Sequence, residues 1–249
     1  MIRIWRNDRL FYGFLLLYMA GIAALILTTP LSPTEAQLFY REEWSPAIWI
    51  ARILHEYLPG PLGLRLVPFL LGMLNLRLFY RLLPDYFPQL EDRRFTLVIF
   101  SILPGVIAAN VLLNDAVFAL TLTLLFLLAY RKKLFWLELL ALLLLLSTAT
   151  AMFALYLGVA IYAFVRREYR LGIVAAILLV VSLATGLYSI GGRPQGHLPE
   201  LFGIYAALFS PLFFVYYFYA LYRVALEGPR DLYWSISFTA LALSILLSI

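Results

Sequence analysis

The chain has 249 residues, 64% of them hydrophobic and 13% charged, with a mean hydropathy of +0.91 and a formal net charge of +5. That composition excludes a water-soluble domain of useful size, because apolar runs recur from end to end. The absence of cysteine excludes disulfides and Cys-based metal sites, and cations lying between apolar runs rather than along one face argue against a nucleic-acid surface.

The first element follows a basic start, Arg3, Arg6 and Arg9. Residues 11–28 have the length of a membrane span and lead into no small-residue cleavage site, so they read as a retained first span rather than a signal peptide. Further spans are predicted at 64–83, 95–113, 116–130, 134–146, 150–165, 171–188, 201–222 and 232–249. The expected fold is an all-α integral membrane protein, one transmembrane domain over 1–249 with about nine transmembrane helices. Charge bias supports this layout. With the N-terminus cytoplasmic, 15 of the 19 Lys and Arg residues fall on the inner side, and only Arg41, Arg52, Arg65 and Arg193 fall outside. Fusing the two spans on either side of 147–149 would place Arg166, Arg167 and Arg170 outside, so the charge pattern favours a split there.

Two connections stand out on this topology, the first outer loop at 29–63 and the outer loop at 189–200 after the seventh span. The first carries an amphipathic surface helix in "AIWIARILHEYL", starting at Ser45 with Pro46 in its first turn. Ile50, Ile53, Leu54, Tyr57 and Leu58 follow one helical face, and Arg52, His55 and Glu56 lie opposite. The second loop, "SIGGRPQGHLPE", is rich in Gly and Pro, and its Gly191 and Gly192 form no phosphate-binding signature without a flanking strand and helix.

Carboxylates concentrate in "TTPLSPTEAQLFYREEW" at 28–44. Ser32, Pro33 and Glu35 spell a capping box, and the same Glu35 is placed to act as a general base facing the outer side; a capped helix start would hold it in place for that role. Glu42 and Glu43 follow, and Glu42 shares a face with Glu35 if the helix continues. Such a pair is suited to a divalent metal, Mg or Mn, or to shared base work, whereas a solvated loop is the structural alternative beside Arg41. Asp115 in "LLNDAVFAL" sits at an outer turn, as a functional acid or as a first-turn residue behind the cap Asn114. Arg65, Arg193 and His197 are phosphate-binding candidates; snorkelling is the alternative for Arg65, and an ordinary turn for the other two. Thr148 and Thr150 in "LSTATAM" read as small polar residues at helix contacts.

A first span, the acidic motif "PTEAQLFY", a surface helix, "GLRLVPFLLG", "NDAVFAL", the turn "RKK" and "LFWLELLALLLLLSTATAMFALYL" together resemble the GT-C superfamily over residues 11–188. These are membrane glycosyltransferases that use polyprenyl-phosphate sugars, among them protein O-mannosyltransferases and the lipid A aminoarabinose transferase. The resemblance implies transfer of a sugar from a polyprenyl-phosphate donor to an acceptor on the outer face of the membrane, periplasmic, extracellular or lumenal. It implies Glu35 as base and Asp115 or Glu42 assisting through a metal or hydrogen bonds, with Arg65, Arg193 and His197 toward the phosphate. Where that family carries an acidic pair whose leading aspartate is the base, this chain has Thr34 and Glu35. A second reading is therefore a non-catalytic scaffold or lipid-binding subunit on the same bundle, with a partner protein. Scarce ionisable residues within the spans disfavour a transport pathway.

Overall fold

The computed structural model of the protein describes residues 7–40, 45–148, 152–185, 198–228 and 230–246. Among them are thirteen α-helices and no strand. In chain order these are α1 (Asp8–Thr28), α2 (Pro33–Tyr40), α3 (Pro46–Tyr57), α4 (Pro61–Leu82), α5 (Leu90–Ile102), α6 (Pro104–Val111) and α7 (Ala116–Arg131). There follow α8 (Phe135–Leu145), α9 (Phe153–Val165), α10 (Tyr169–Thr185), α11 (Leu198–Phe209), α12 (Pro211–Glu227) and α13 (Leu232–Leu246). A 3-10 turn, Leu83–Asp85, extends α4. Proline explains several starts: α2, α3, α4, α6 and α12 all begin on one, where a missing N–H costs nothing.

Two helices are long and apolar enough to cross a membrane, α1 and α4 with its extension, or up to four if each of two bent pairs forms one span. Five shorter apolar helices accompany them, so the chain has the helices of a membrane protein. The expected unbroken spans at 95–113 and 201–222 are each interrupted. Pro104 forces Leu103 into extended backbone (φ −60°, ψ 132°), and α5 meets α6 at a 64° bend. Between α11 and α12, Ser210 takes a positive φ of 63° just before Pro211, which starts α12.

The chain divides into two compact units, Met1–Ala141 and Leu142–Ile249, with the boundary inside α8. In the first unit α4 is central and packs against α1, α3, α5, α6 and α7. Lipid gives helices little hydrophobic reason to associate, so close approach and polar bonds matter more. Gly72 on α4 lies under the Asn110 side chain of α6, where a Cβ would meet Asn110 Oδ1 at 2.2 Å; Asn110 Nδ2 also donates to Tyr18 Oη of α1 at 2.9 Å. Asn75 Nδ2 donates to the Val117 carbonyl, tying α4 to α7. Two ion pairs join helices that run in the same direction, start to start and end to end. Arg94 at the start of α5 pairs with Asp8 at the start of α1, and Arg131 at the end of α7 pairs with Asp85 beyond α4.

In the second unit α9 packs against α10 and α13. A Cβ on Gly158 would fall 2.8 Å from Ile236 Cα, and Ser235 Oγ donates to the Gly158 carbonyl at 2.8 Å. The predicted split at 147–149 lies partly outside the described residues; α8 ends at Leu145, and the Ser147 and Thr148 hydroxyls donate back to the carbonyls of Leu144 and Leu145. Tyr156 Oη on α9 donates to the Leu142 carbonyl. At 1.5 Å per residue α8 and α9 are about 17 and 20 Å long, short of the ~30 Å hydrocarbon layer.

Candidate functional site

The described residues of the 29–63 connection gather where α1 ends and α2, α4 and α7 begin. Ser32 starts α2 with the predicted reciprocal cap: Glu35 N–H donates to Ser32 Oγ (3.1 Å), and Ser32 N–H donates to Glu35 Oε2 (2.9 Å). The Glu35 carboxylate goes further. It is 1% exposed and faces Arg65 of α4, itself 0% exposed, in a two-pronged pair, Nε to Oε1 at 2.8 Å and Nη2 to Oε2 at 2.7 Å. The N–H of Leu113, just before α7, also donates to Oε1 at 2.8 Å. A carboxylate offers about four lone-pair sites, and here four donors take them, two on each oxygen.

Arg65 is equally committed. Nη1 donates to the carbonyls of Ile26 (3.0 Å) and Thr29 (2.7 Å), and the second Nη2 hydrogen reaches the Pro30 carbonyl (2.9 Å). All five guanidinium N–H groups therefore have acceptors, three of them carbonyls at or just beyond the C-terminus of α1. A cation there also favours the negative end of the helix dipole. Burial alone would push the Glu35 carboxyl up, but the hydrogen bonds from Arg65, Ser32 and Leu113 outweigh it and hold the group below the ordinary glutamate value.

Asp115 lies nearby in sequence to Leu113 and is 5% exposed; its Oδ1 accepts from the Ser45 hydroxyl at the start of α3. Capping of α7 falls to Asn114, whose Oδ1 accepts from Val117 N–H at 3.0 Å while its amide donates to the carbonyls of Ala109 and Leu112. The surface helix α3 begins at Ser45 and Pro46 as expected, but its apolar residues divide between two faces. Ala47, Ile48 and Ala51 are buried with Leu54 packed against them, beside Leu64, Val67 and Leu113. Trp49, Ile50 and Tyr57 remain exposed. Leu54 thus belongs to the protein-facing side rather than to one membrane-facing stripe with Ile50 and Tyr57. Arg52 Nη2 donates to the Leu38 carbonyl and fastens α3 to α2.

The structure thus brings together Glu35 and Arg65, and separately Asp115 and Ser45, at neighbouring points of the loop. Glu42, Glu43, Arg193, His197 and Thr150 lie outside the described residues. Among the described residues no group of three or more His, Asp or Glu side chains is placed to hold a metal ion. Glu35 in particular retains no lone pair for Mg or Mn in this arrangement. Sequence reasoning named Glu35, Arg65 and Asp115 but not their partners. The pairing of residues 35 and 65, and the use of Ser45 by Asp115, depend on tertiary contacts across 30 and 70 positions. Comparison with protein-family models, with curated proteins and with solved structures finds no match to this chain.

Proposed function

We propose that the protein is a multi-pass, non-catalytic membrane scaffold in which Glu35 and Arg65 form a structural clamp. The observation that carries this reading is donor and acceptor closure: four donors on one carboxylate, five acceptors on one guanidinium, both almost wholly buried. A general base needs a lone pair aimed at the proton it removes, and Glu35 has committed all of its own. A phosphate site needs unsatisfied N–H groups, and Arg65 offers none. The clamp joins the end of α1, the start of α2, α4 and the entry to α7, which is the work of a frame.

Nine spans fit this proposal. Two long helices, two bent pairs and five shorter apolar helices supply nine segments, the short ones spanning with local thinning of the bilayer. In the first unit Arg81, Arg94, Arg131 and Lys132 collect at the end of the bundle opposite Glu35, and the positive-inside rule makes that end cytoplasmic.

A second reading, an outer-face glycosyltransferase of the GT-C kind, draws on the meeting of the first loop with the acidic turn through Ser45 and Asp115. There Asp115 rather than Glu35 would be the base, acting on an acceptor for a polyprenyl-phosphate sugar. One experiment separates the two. The purified full chain is given polyprenyl-phosphate sugars and acceptor hydroxyl compounds, and transfer and thermal unfolding are followed for wild type, Glu35→Gln and Asp115→Asn. The scaffold reading expects no transfer and a large loss of stability in Glu35→Gln. Donor-dependent transfer that vanishes in Asp115→Asn at unchanged stability would overturn it in favour of the enzyme.

A further inference from the structure

At the opposite end of the first unit from the clamp, α4, α7 and the start of α8 enclose a cleft of about 650 Å³. Its walls are leucines, Leu78 from α4, Leu125 and Leu128 from α7 and Leu137 from α8, and its rim carries Arg81, Arg131 and Lys132. The three cations differ. Arg131 is engaged, pairing with Asp85 at 2.8 Å and donating to the Arg81 carbonyl at 2.6 Å, so it fixes the end of α7 against the end of α4. Arg81 and Lys132 are exposed, and among the described residues neither has a carboxylate within ion-pair distance.

We propose that this cleft binds an anionic glycerophospholipid, one acyl chain against the leucines and the headgroup phosphate between Arg81 and Lys132. The inference rests on the membrane residence and topology proposed above. Two features select a lipid over a soluble anion. The site joins an apolar wall to a cationic rim in one cleft, which matches an amphiphile and nothing small and fully polar. It also lies at the ends of membrane helices, where the acyl chain reaches the leucines without leaving the bilayer. Charge complementarity selects an anionic headgroup, since only one of the three rim cations is neutralised by a carboxylate.

The test uses the full chain in phosphatidylcholine nanodiscs, titrated with phosphatidylglycerol, with further phosphatidylcholine, or with inorganic phosphate, and read as retained lipid and thermal unfolding. Wild type is expected to retain phosphatidylglycerol preferentially and to melt higher with it. Replacing both Arg81→Gln and Lys132→Gln should weaken retention about a hundredfold, about tenfold for each charge-assisted hydrogen bond lost. Leu125→Trp, which fills the apolar wall and keeps every charge, should weaken it as well. Arg166→Gln with Arg167→Gln, at a different basic turn, should leave the preference intact. An equal loss in that control would reduce the effect to diffuse surface charge and overturn the site, as would inorganic phosphate matching the lipid. A chain that inserts into bilayers but shows no preference overturns this inference alone, whereas one that fails to insert overturns the membrane reading with it.

Discussion

Replacing Glu35 by Gln tests the clamp most directly, because the side chain keeps its shape while half of its acceptors become donors. In the native protein each carboxylate oxygen accepts one bond from Arg65 and one from a backbone N–H. A Gln amide placed either way sets its NH2 against one guanidinium N–H and one backbone N–H, so two of the four bonds are lost. The remaining guanidinium charge, 0% exposed, then lacks a counter-charge. Breaking a buried pair from one side costs about 3–5 kcal/mol, a large share of the ~5–15 kcal/mol that holds a domain folded. Denaturant or thermal unfolding in detergent should therefore show Glu35→Gln severely destabilised. Arg65→Met should fall at least as far, since it also strips three carbonyls at the end of α1 of their donors. The double variant should cost less than the sum of the two, because the unpaired charge disappears with its partner. The pH dependence has a definite sign. Glu35 has its carboxyl lowered in the folded state, so its stabilising effect is complete above the ordinary glutamate value and is lost as pH falls through the lowered one. Glu35→Gln should lack that acid-side component. An unfolding midpoint within about 0.5 kcal/mol of wild type, the range of an ordinary surface substitution, would refute the clamp.

Other substitutions test other joints. Lys133 (φ 56°) and Arg167 (φ 62°) occupy the left-handed position that closes α7 and α9, so Lys133→Gly and Arg167→Gly should each raise stability by about 0.5–1 kcal/mol in thermal unfolding. Gly158→Val places methyl groups where even a Cβ would meet Ile236 Cα at 2.8 Å, and should cost about 1–3 kcal/mol or prevent folding of the second unit, read by limited proteolysis. Ser45→Ala removes the hydroxyl that donates to buried Asp115 and should cost about 1–3 kcal/mol, with Ser45→Thr recovering part of it if the hydroxyl is what matters.

What was legible in the sequence was mostly local. Ser32, Pro33 and Glu35 announce a helix start, and the reciprocal cap is there; Ser45 and Pro46 announce another, and α3 begins there. The breaks at Leu103 and Ser210 also had a local signal in the following prolines, but a hydropathy window averages across a single residue and reads one long span where the backbone makes two helices. The faces of α3 were harder to read. Periodicity shows that apolar residues repeat, yet it does not distinguish an exposed apolar face from one buried against protein, and α3 has both. The partners of Glu35 were illegible for another reason: Arg65, Leu113 and the end of α1 come together only once α4 and α7 have packed.

The two basic turns show how topology and local strain meet. The ends of α7 and α9 are closed by the same bonds: Lys133 N–H to the Tyr130 carbonyl and Leu134 N–H to Ala129, then Arg167 N–H to Phe164 and Glu168 N–H to Ala163. This motif calls for a residue in left-handed backbone, usually glycine, and a residue with a Cβ there costs about 1 kcal/mol. Both positions hold a long cation instead. A cation offsets some of the strain at the negative end of a helix dipole, and on the proposed topology it also biases the turn toward the cytoplasmic side. Glycine at both positions should therefore uncouple two properties that ordinarily move together. Thermal stability in detergent should rise, while the fraction of chains inserted in the native orientation, read by accessibility of tags placed in the turns, should fall. A rise in stability with orientation unchanged would show that Arg131, Lys132, Arg166 and Arg170 suffice to orient the chain, and would remove topology as the reason for the strained cations.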